Sequence, residues 1–391
     1  MTVRVNKSSF NIREKLSELG RKFGLKGSEL VAAETVQEAR DIVSAGRKNM
    51  VINGDMRIDQ RYGGSSRDIA NGANEYVIDR FMFRDTLSTS FRVQRNTLSA
   101  STDPPGFRYA AKMSCLGSDT SISNTEYLRI QQYIETNNLK CDWGIHNTDY
   151  LTLSFWVKSS VPGKYYANLE DGDASPLYLK PYYINQADTW QKVELTYPPP
   201  PSGNWTTSTD NGIGMRITWS LTIGSNYVSG LNEGWTTSYH MAGPDQVNLA
   251  ATSGNAFWLT GVQLERGRNA TEFEHRSYGE ELALCQRYYY EYPKGNTYNI
   301  IANGFANTTS NALFHFQFPV PMRNAPVVAT TGNWQVIDGT SHSVTGFSAI
   351  TDATTLTGRV DATSSGLTVG RGTMLRNNND ATATFSFNAE L

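Results

Sequence analysis

The sequence predicts a mainly β protein built from two antiparallel sandwich-like units, with short helices confined to the N-terminus and to one linker. Three observations carry that prediction. Apolar and polar residues alternate with period two in many short stretches separated by turn clusters. Charged residues make up 18%, below the usual quarter, while 33 Gly and abundant Thr, Ser and Asn supply turns. The period shifts to three and four only near the start and around residue 280. A chain of 391 residues suits two or three domains.

The first 48 residues stand apart. Ile12, Leu16 and Leu19 share one helix face, with Asn11 and Glu14 spaced as cap and partner. A second capping pair, Thr35 and Glu38, precedes the stripe Val36, Ala39, Ile42, Val43, which ends at Gly46. Two short helices bury too little on each other to stand alone. The segment is therefore read as a helical anchor, 1–48, that docks on another protein. Its contacts would be Ile12, Leu16, Leu19, Val36, Ile42 and Val43.

Residues 49–276 form the first β unit. Met50 to Ile58 carries a turn signal at Asn53-Gly54-Asp55. Glu75 to Phe83, Phe91 to Gln94 and Phe107 to Met113 are read as strands. Tyr127 to Ile134 fits a strand or a helix. Leu151, Leu153, Phe155 and Val157 alternate with Thr152, Ser154 and Trp156, which fixes a strand with one buried side. Trp190 to Leu195 and Gly214 to Ile223 follow, separated by Pro198 to Pro201, which cannot join a ladder. Phe257, Leu259 and Val262 mark the closing strand. From Glu280, Leu282, Cys285 and Tyr289 recur at helical spacing, so residues 277–292 are read as a linker helix. Residues 293–391 form the second β unit. Leu313, His315 to Phe318 and Val327-Val328 carry strands, and Ala383, Phe385, Phe387 and Ala389 alternate at the end. With few large apolar residues, this unit is expected to gain stability by self-association.

Function classes narrow by exclusion. A formal net charge of −2 gives no field that would recruit nucleic acid or an anionic membrane. No apolar run approaches the ~18 residues that span a bilayer, so no membrane insertion is expected. Met1 to Ser9 is polar, unlike a signal peptide. Cys115, Cys141 and Cys285 are odd in number and lack metal spacing, which fits synthesis in a reducing cytoplasm. No nucleophile, metalloprotease or phosphate-loop motif occurs. Glycoside hydrolysis needs two placed carboxylates. Glu126, Glu135, Asp142, Glu170, Asp171 and Asp173 exist, but Glu170 to Asp173 reads as a solvated loop. The chain is therefore expected not to be an enzyme.

The aromatics point elsewhere. With 20 Tyr and 8 Trp, the chain has more rings than a core needs. Sugar rings stack their C–H faces on Trp and Tyr, while amides and carboxylates bind hydroxyls. Tyr182, Tyr183, Trp205, Trp235 and Tyr239 are the glycan-binding candidates, with Asn204, Asp210 and Asn226 near them in sequence. Trp205 and Trp235 lie among Gly, Ser, Thr and Asn, a loop-like context. Trp219 sits in a strand and is assigned to the core, the commoner place for any single ring.

Several of these stretches resemble the jelly-roll carbohydrate-binding module family. They are MVINGDM at Met50 to Met56, YLTLSFWVKSS at Tyr150 to Ser160, TWQKVELTY at Thr189 to Tyr197 and FWLTGVQLERG at Phe257 to Gly267. The resemblance implies a jelly-roll fold for 49–276. It also raises a structural calcium, to which Asp55 would be a ligand, although Thr260 stands where such modules often place an aspartate. No other cofactor is implied.

The whole chain resembles tail-fibre and appendage proteins of tailed bacteriophages, notably podoviruses of cyanobacteria and marine bacteria. Ser8 to Leu19 with Ala45 to Ile58, Ala270 to Tyr292, and Phe318 to Val328 carry this resemblance. It implies a virion structural protein, a homotrimeric tail fibre held through residues 1–48 by a tail adaptor or hub. Its distal domains would bind a host-surface glycan or protein. A capsid-decorating head fibre, held instead by a capsid protein, and a polysaccharide depolymerase are the alternatives.

Overall fold

The computed structural model describes residues 47–201, 205 and 211–391. The anchor residues Ile12, Leu16, Leu19, Val36, Ile42 and Val43 lie outside the described residues, as do Asn204 and Asp210. Met50–Leu391 forms one compact unit.

The alternation in Leu151–Ser159 does what period two dictates. Leu151, Leu153, Phe155 and Val157 are fully buried, while Trp156 and Lys158 reach the outside. This strand pairs antiparallel with Gln191–Tyr197 on one side and Ala256–Arg266 on the other. The six-stranded sheet runs Arg67–Ile69, Phe91–Thr97, Tyr109–Cys115, Ala256–Arg266, Leu151–Ser159, Gln191–Tyr197. A register shift between Thr260 and Gln263 is taken up at Gly261, whose φ of +61° is cheap only for glycine.

The facing sheet has eight strands. Its path is Gly234–Thr236, Leu177–Leu179, Gly163–Glu170, Ile213–Ile223, Tyr127–Glu135, Phe81–Asp85, Ala73–Ile78, with Pro181–Ile184 added beside Gly163–Glu170. Tyr127–Glu135, ambiguous in sequence, is a strand because it has partners on both edges. Between the sheets lies one apolar cluster that includes Phe83, Ile130, Phe155, Ile217, Trp219 and Phe257. Phe155 meets Trp219 edge-on at 5.9 Å. Trp219 is core, as its strand context predicts.

Met50 to Met56 is not a strand, and the turn signalled at Asn53-Gly54-Asp55 forms. Asn53 takes a φ of 60° and turns the chain. Its side chain bonds the Ile58 N–H and the carbonyls of Ile58 and Asp79. The stretch still lies along the closing strand, through Met50 N–H to Leu264 O and Val262 N–H to Gly54 O. A Cβ on Gly54 would fall 2.1 Å from the Val262 oxygen, so only glycine fits.

The linker helix is Tyr278–Gln286, capped by Ser277 accepting from the Glu280 N–H. Tyr289 belongs to the next strand. Glu281 turns inward, accepts from the Asn53 N–H at 2.6 Å and faces Arg276 at 3.3 Å. Arg276 also pairs with Glu274 at 3.0 Å.

The second sandwich packs a three-stranded sheet, Tyr289–Glu291, Thr384–Asn388, Val327–Thr331, on a seven-stranded one. Rings fill its core: Phe316 stacks on Phe385 at 4.9 Å, and Phe318 meets Phe387 at 4.9 Å. The terminal alternation holds, with Ala383, Phe385, Phe387 and Ala389 all buried. Charged groups close the junction between the sandwiches. Arg80 pairs with Glu390 and lies 3.6 Å from the Tyr288 ring centre, and Glu135 takes Arg287 at 2.5 Å and the Tyr288 hydroxyl at 2.6 Å.

Candidate functional site

Strands that bury one side chain in two must point the others outward. On the eight-stranded sheet those outward residues line up into three ladders. One reads Asn74, Arg84, Arg129, Ser220, Tyr166. The next reads Tyr76, Met82, Gln131, Thr218, Asn168. The third reads Tyr133, Arg216, Glu170. A polar outer face is ordinary for a sheet with one solvated side. This one is not solvated: Arg129 and Gln131 are 2% and 1% exposed, and Thr218, Ser220, Asn168 and Glu170 are at 0%.

The cover is the segment 225–247, a strap that crosses the ladders. Asn168 Nδ2 and Ser220 Oγ both donate to the Met241 carbonyl at 2.7 Å. Arg129 donates to the Tyr239 hydroxyl and approaches the Met241 sulfur. Gln131 Nε2 donates to Thr218 Oγ1 at 2.7 Å. Most of the buried polar groups are thereby matched, as they must be.

Glu170 and the Tyr166 hydroxyl are exceptions, and Glu170 is the charged one. Neither of its carboxylate oxygens is given a hydrogen-bond partner by the geometry, although the Thr218 hydroxyl, which accepts from Gln131, pulls the carboxyl down as a donor would. The Nε atoms of Arg129 and Arg216 are also bare. Burial pushes the Glu170 carboxyl above its ordinary range, against the pull of Arg129, Arg216 and Arg84. The reading of Glu170 to Asp173 as a solvated loop is thus corrected for Glu170 and Asp171, while Asp173 is exposed in the turn. Glu170 ends the strand Gly163–Glu170, and Asp171, also at 0%, accepts from the Asp173 and Ser175 N–H groups to shape the turn. Arg84 and Arg216 are half-buried and mark where the cluster meets solvent. Arg216 Nη2 is held by the Gly172 carbonyl at 2.6 Å.

The rings chosen from sequence scatter. Trp205 is buried, packed against Trp143 at 5.0 Å and Trp235 at 6.2 Å, with its N–H on the Gly214 carbonyl. Trp235 is half-buried in the same cluster, 5.2 Å from Tyr178. Tyr182 is buried and stacked on Tyr165. A polar, glycine-rich neighbourhood signalled a loop but not whether the ring folds inward. Tyr183 is 54% exposed on an edge strand opposite Lys164, and Tyr239 belongs to the strap over Arg129. Asn226 lies in the strap, its N–H on the Asn124 carbonyl. Asp55 is bound to Arg57. Sequence reasoning passed over Arg129, Gln131 and Arg216. Their signal was a polar period-two pattern inside strands chosen for apolar content.

Three further tryptophans escaped notice on the outer face of the six-stranded sheet. Trp258 lies between Lys112 and Lys158, with ammonium-to-ring distances of 5.1 and 4.5 Å. Lys158 also sits 5.1 Å from Trp190, whose N–H donates to Asp103 at 2.7 Å. Trp156 follows in the next row, opposite Lys192. All three rings are half-buried.

No family model and no curated protein matches the sequence. Solved structures with some likeness include the carbohydrate-binding module TmCBM61 in complex with beta-1,4-galactotriose. That match has TM-score 0.28 and 11% identity, and covers 57% of this chain and 100% of that one. Another is the family 11 carbohydrate-binding module from Clostridium thermocellum, with TM-score 0.26 and 14% identity over 54% of this chain and 98% of the module. The enzymatically active domain of bacteriophage CBA120 tailspike protein 4 gives TM-score 0.27 and 11% identity over 56% of this chain. The match spans 21% of that tailspike chain.

Proposed function

We propose that this chain recognises glycans through the outer face of its eight-stranded sheet. The observation that carries the reading is Glu170: a fully buried carboxylate with two bare oxygens, set among guanidiniums that themselves keep bare donors. An unmatched buried polar group is a standing cost. A polyol removes it on both sides. Hydroxyl hydrogens donate to Glu170, and hydroxyl or ring oxygens accept from Arg129 and Arg216. Because Glu170 is sealed, the strap must shift for the ligand to enter, starting where the half-buried Arg84 or Arg216 meets solvent. The proposed role is binding rather than catalysis. The charges that act on Glu170 are Arg129, Arg216 and Arg84, whereas glycoside hydrolysis asks for a second carboxylate.

Around this activity we place the chain in a virion, as a homotrimeric tail fibre held at its N-terminus by a tail adaptor or hub. The resemblance of Ser8 to Leu19 and Ala270 to Tyr292 to phage appendages supports that placement. Several weak sites on one particle would add up to firm adsorption through effective concentration.

Two experiments test the reading. The full chain is applied to a glycan array beside Glu170→Ala. Wild type is expected to retain a defined subset of glycans, and the variant to lose them by about tenfold or more. Equal retention by both, or none by wild type, removes the proposal. Imaging of intact particles should place Ser8 to Arg47 at the tail in groups of three; a position on the shell would make it a head fibre.

A further inference from the structure

Charge, rather than hydrogen bonding alone, narrows the ligand further. The strap and the ladders enclose Arg84, Arg129 and Arg216 around one carboxylate, Glu170. Other acidic groups nearby are engaged: Glu233 takes Lys180 at 2.5 Å and the Tyr178 hydroxyl at 3.0 Å. Beyond the third ladder on the same strand as Tyr133, Glu135 is committed to Arg287 and Tyr288. Three guanidiniums against one carboxylate leave an excess of positive charge at a site that only Arg84 and Arg216 connect to solvent. Buried charge is tolerated when paired and is costly when it is not.

We propose that the sugar unit accepted here is acidic, carrying a carboxylate of the uronic-acid class beside its hydroxyls. The inference rests on the glycan reading above and specifies its ligand. Glu170 asks for donors, which hydroxyls supply. The guanidiniums ask for an acceptor with charge. A planar carboxylate meets a planar guanidinium fork in a way a lone hydroxyl cannot. The two demands also fix the orientation. The ligand's carboxylate must keep away from Glu170, because like charges repel. It therefore lies against the outward, half-buried guanidiniums of Arg84, in the first ladder, and Arg216, in the third, where each meets solvent. Its hydroxyls point inward to Glu170 and to the bare Arg129 Nε. Arg216 is poised for this, since only its Nη2 is tied down, to Gly172, while its plane rests 5.5 Å from the Tyr133 ring centre.

The test is titration calorimetry on the full chain with galacturonic acid, galactose and galactose 6-sulfate, on wild type, Arg216→Gln, Arg84→Gln and Glu170→Gln. Arg84 is half-buried, so its variant keeps the proposal testable should Arg216→Gln unfold. Galacturonic acid is expected to bind about tenfold more tightly than galactose. That preference should vanish in Arg216→Gln or Arg84→Gln, and Glu170→Gln should weaken both sugars alike. Equal binding of galacturonic acid and galactose, with loss in Glu170→Gln, overturns the acidic ligand and leaves glycan recognition standing. Tightest binding by the sulfate ester overturns the carboxylate assignment. No binding by any of the three, with Glu170→Gln indistinguishable from wild type, removes both readings.

Discussion

The two outer faces of the large sandwich obey one rule of alternation and end differently. On the six-stranded sheet, every charge in the central row has a neighbour. Lys112 and Lys158 lie against Trp258, and Lys158 also faces Trp190 and stands 3.9 Å from Asp103. That row stabilises itself and stays in partial contact with water. The eight-stranded sheet is richer in polar groups and is covered by a strap, yet the Glu170 carboxylate beneath that strap is left unmatched. A self-satisfied surface has its reason in the folded state. A buried group that the folded state leaves bare points outside the chain for its reason.

The largest expected effect falls on the satisfied face. Trp258→Ala removes a half-buried ring and two cation–aromatic contacts, and should lower stability by about 2 kcal/mol in urea unfolding. Glycan retention should not change. If retention disappears while the fold survives, the tryptophan face is the binding face and the assignment is reversed.

A smaller effect of opposite sign is expected at Glu170. Burial raises its carboxyl above the ordinary range, so the folded chain holds a proton that the unfolded chain gives up. Stability therefore falls as pH climbs from the unfolded value, about 4.3, through the folded one. Glu170→Gln should match wild type near pH 4 and exceed it at pH 7 by about 1 kcal/mol. Urea midpoints at the two pH values measure this. A variant less stable at pH 7 would mean that the guanidiniums already satisfy Glu170, and the contrast between the faces would be lost.

The smallest effect concerns the cover. Tyr239→Phe deletes the hydroxyl that accepts from Arg129 and should loosen the strap by about 0.5–1 kcal/mol. Amide exchange across residues 225–247 should quicken while exchange in Leu151–Ser159 stays unchanged. Uniform exchange in both would show that the strap is not a separate element.

Much of the fold was legible because sheets leave a periodic trace. Leu151 to Val157 announced both the buried side and, by placing Trp156 among the polar positions, the exposed one. Phe257, Leu259 and Val262 left Trp258 outward by the same logic. The site was partly legible: Arg129, Gln131 and Tyr133 alternate with Leu128 and Ile130 in a stretch whose pattern also allowed a helix. The strap was not, because its one short strand, Gly234–Thr236, leaves most of the segment without a period, and nothing local says that Met241 covers Asn168 and Ser220. Trp205 shows the same limit: its neighbours are polar, but the ring is held by Trp143, far away in sequence.

At the far end of the sandwich, Arg80 and Arg61 both reach Glu390 near the chain's last residue, and Arg61 lies flat on Tyr289 at 3.6 Å. A hinge cannot work through such a clasp. Any torque on the second sandwich is handed straight to the one that carries Glu170, so the two must swing together.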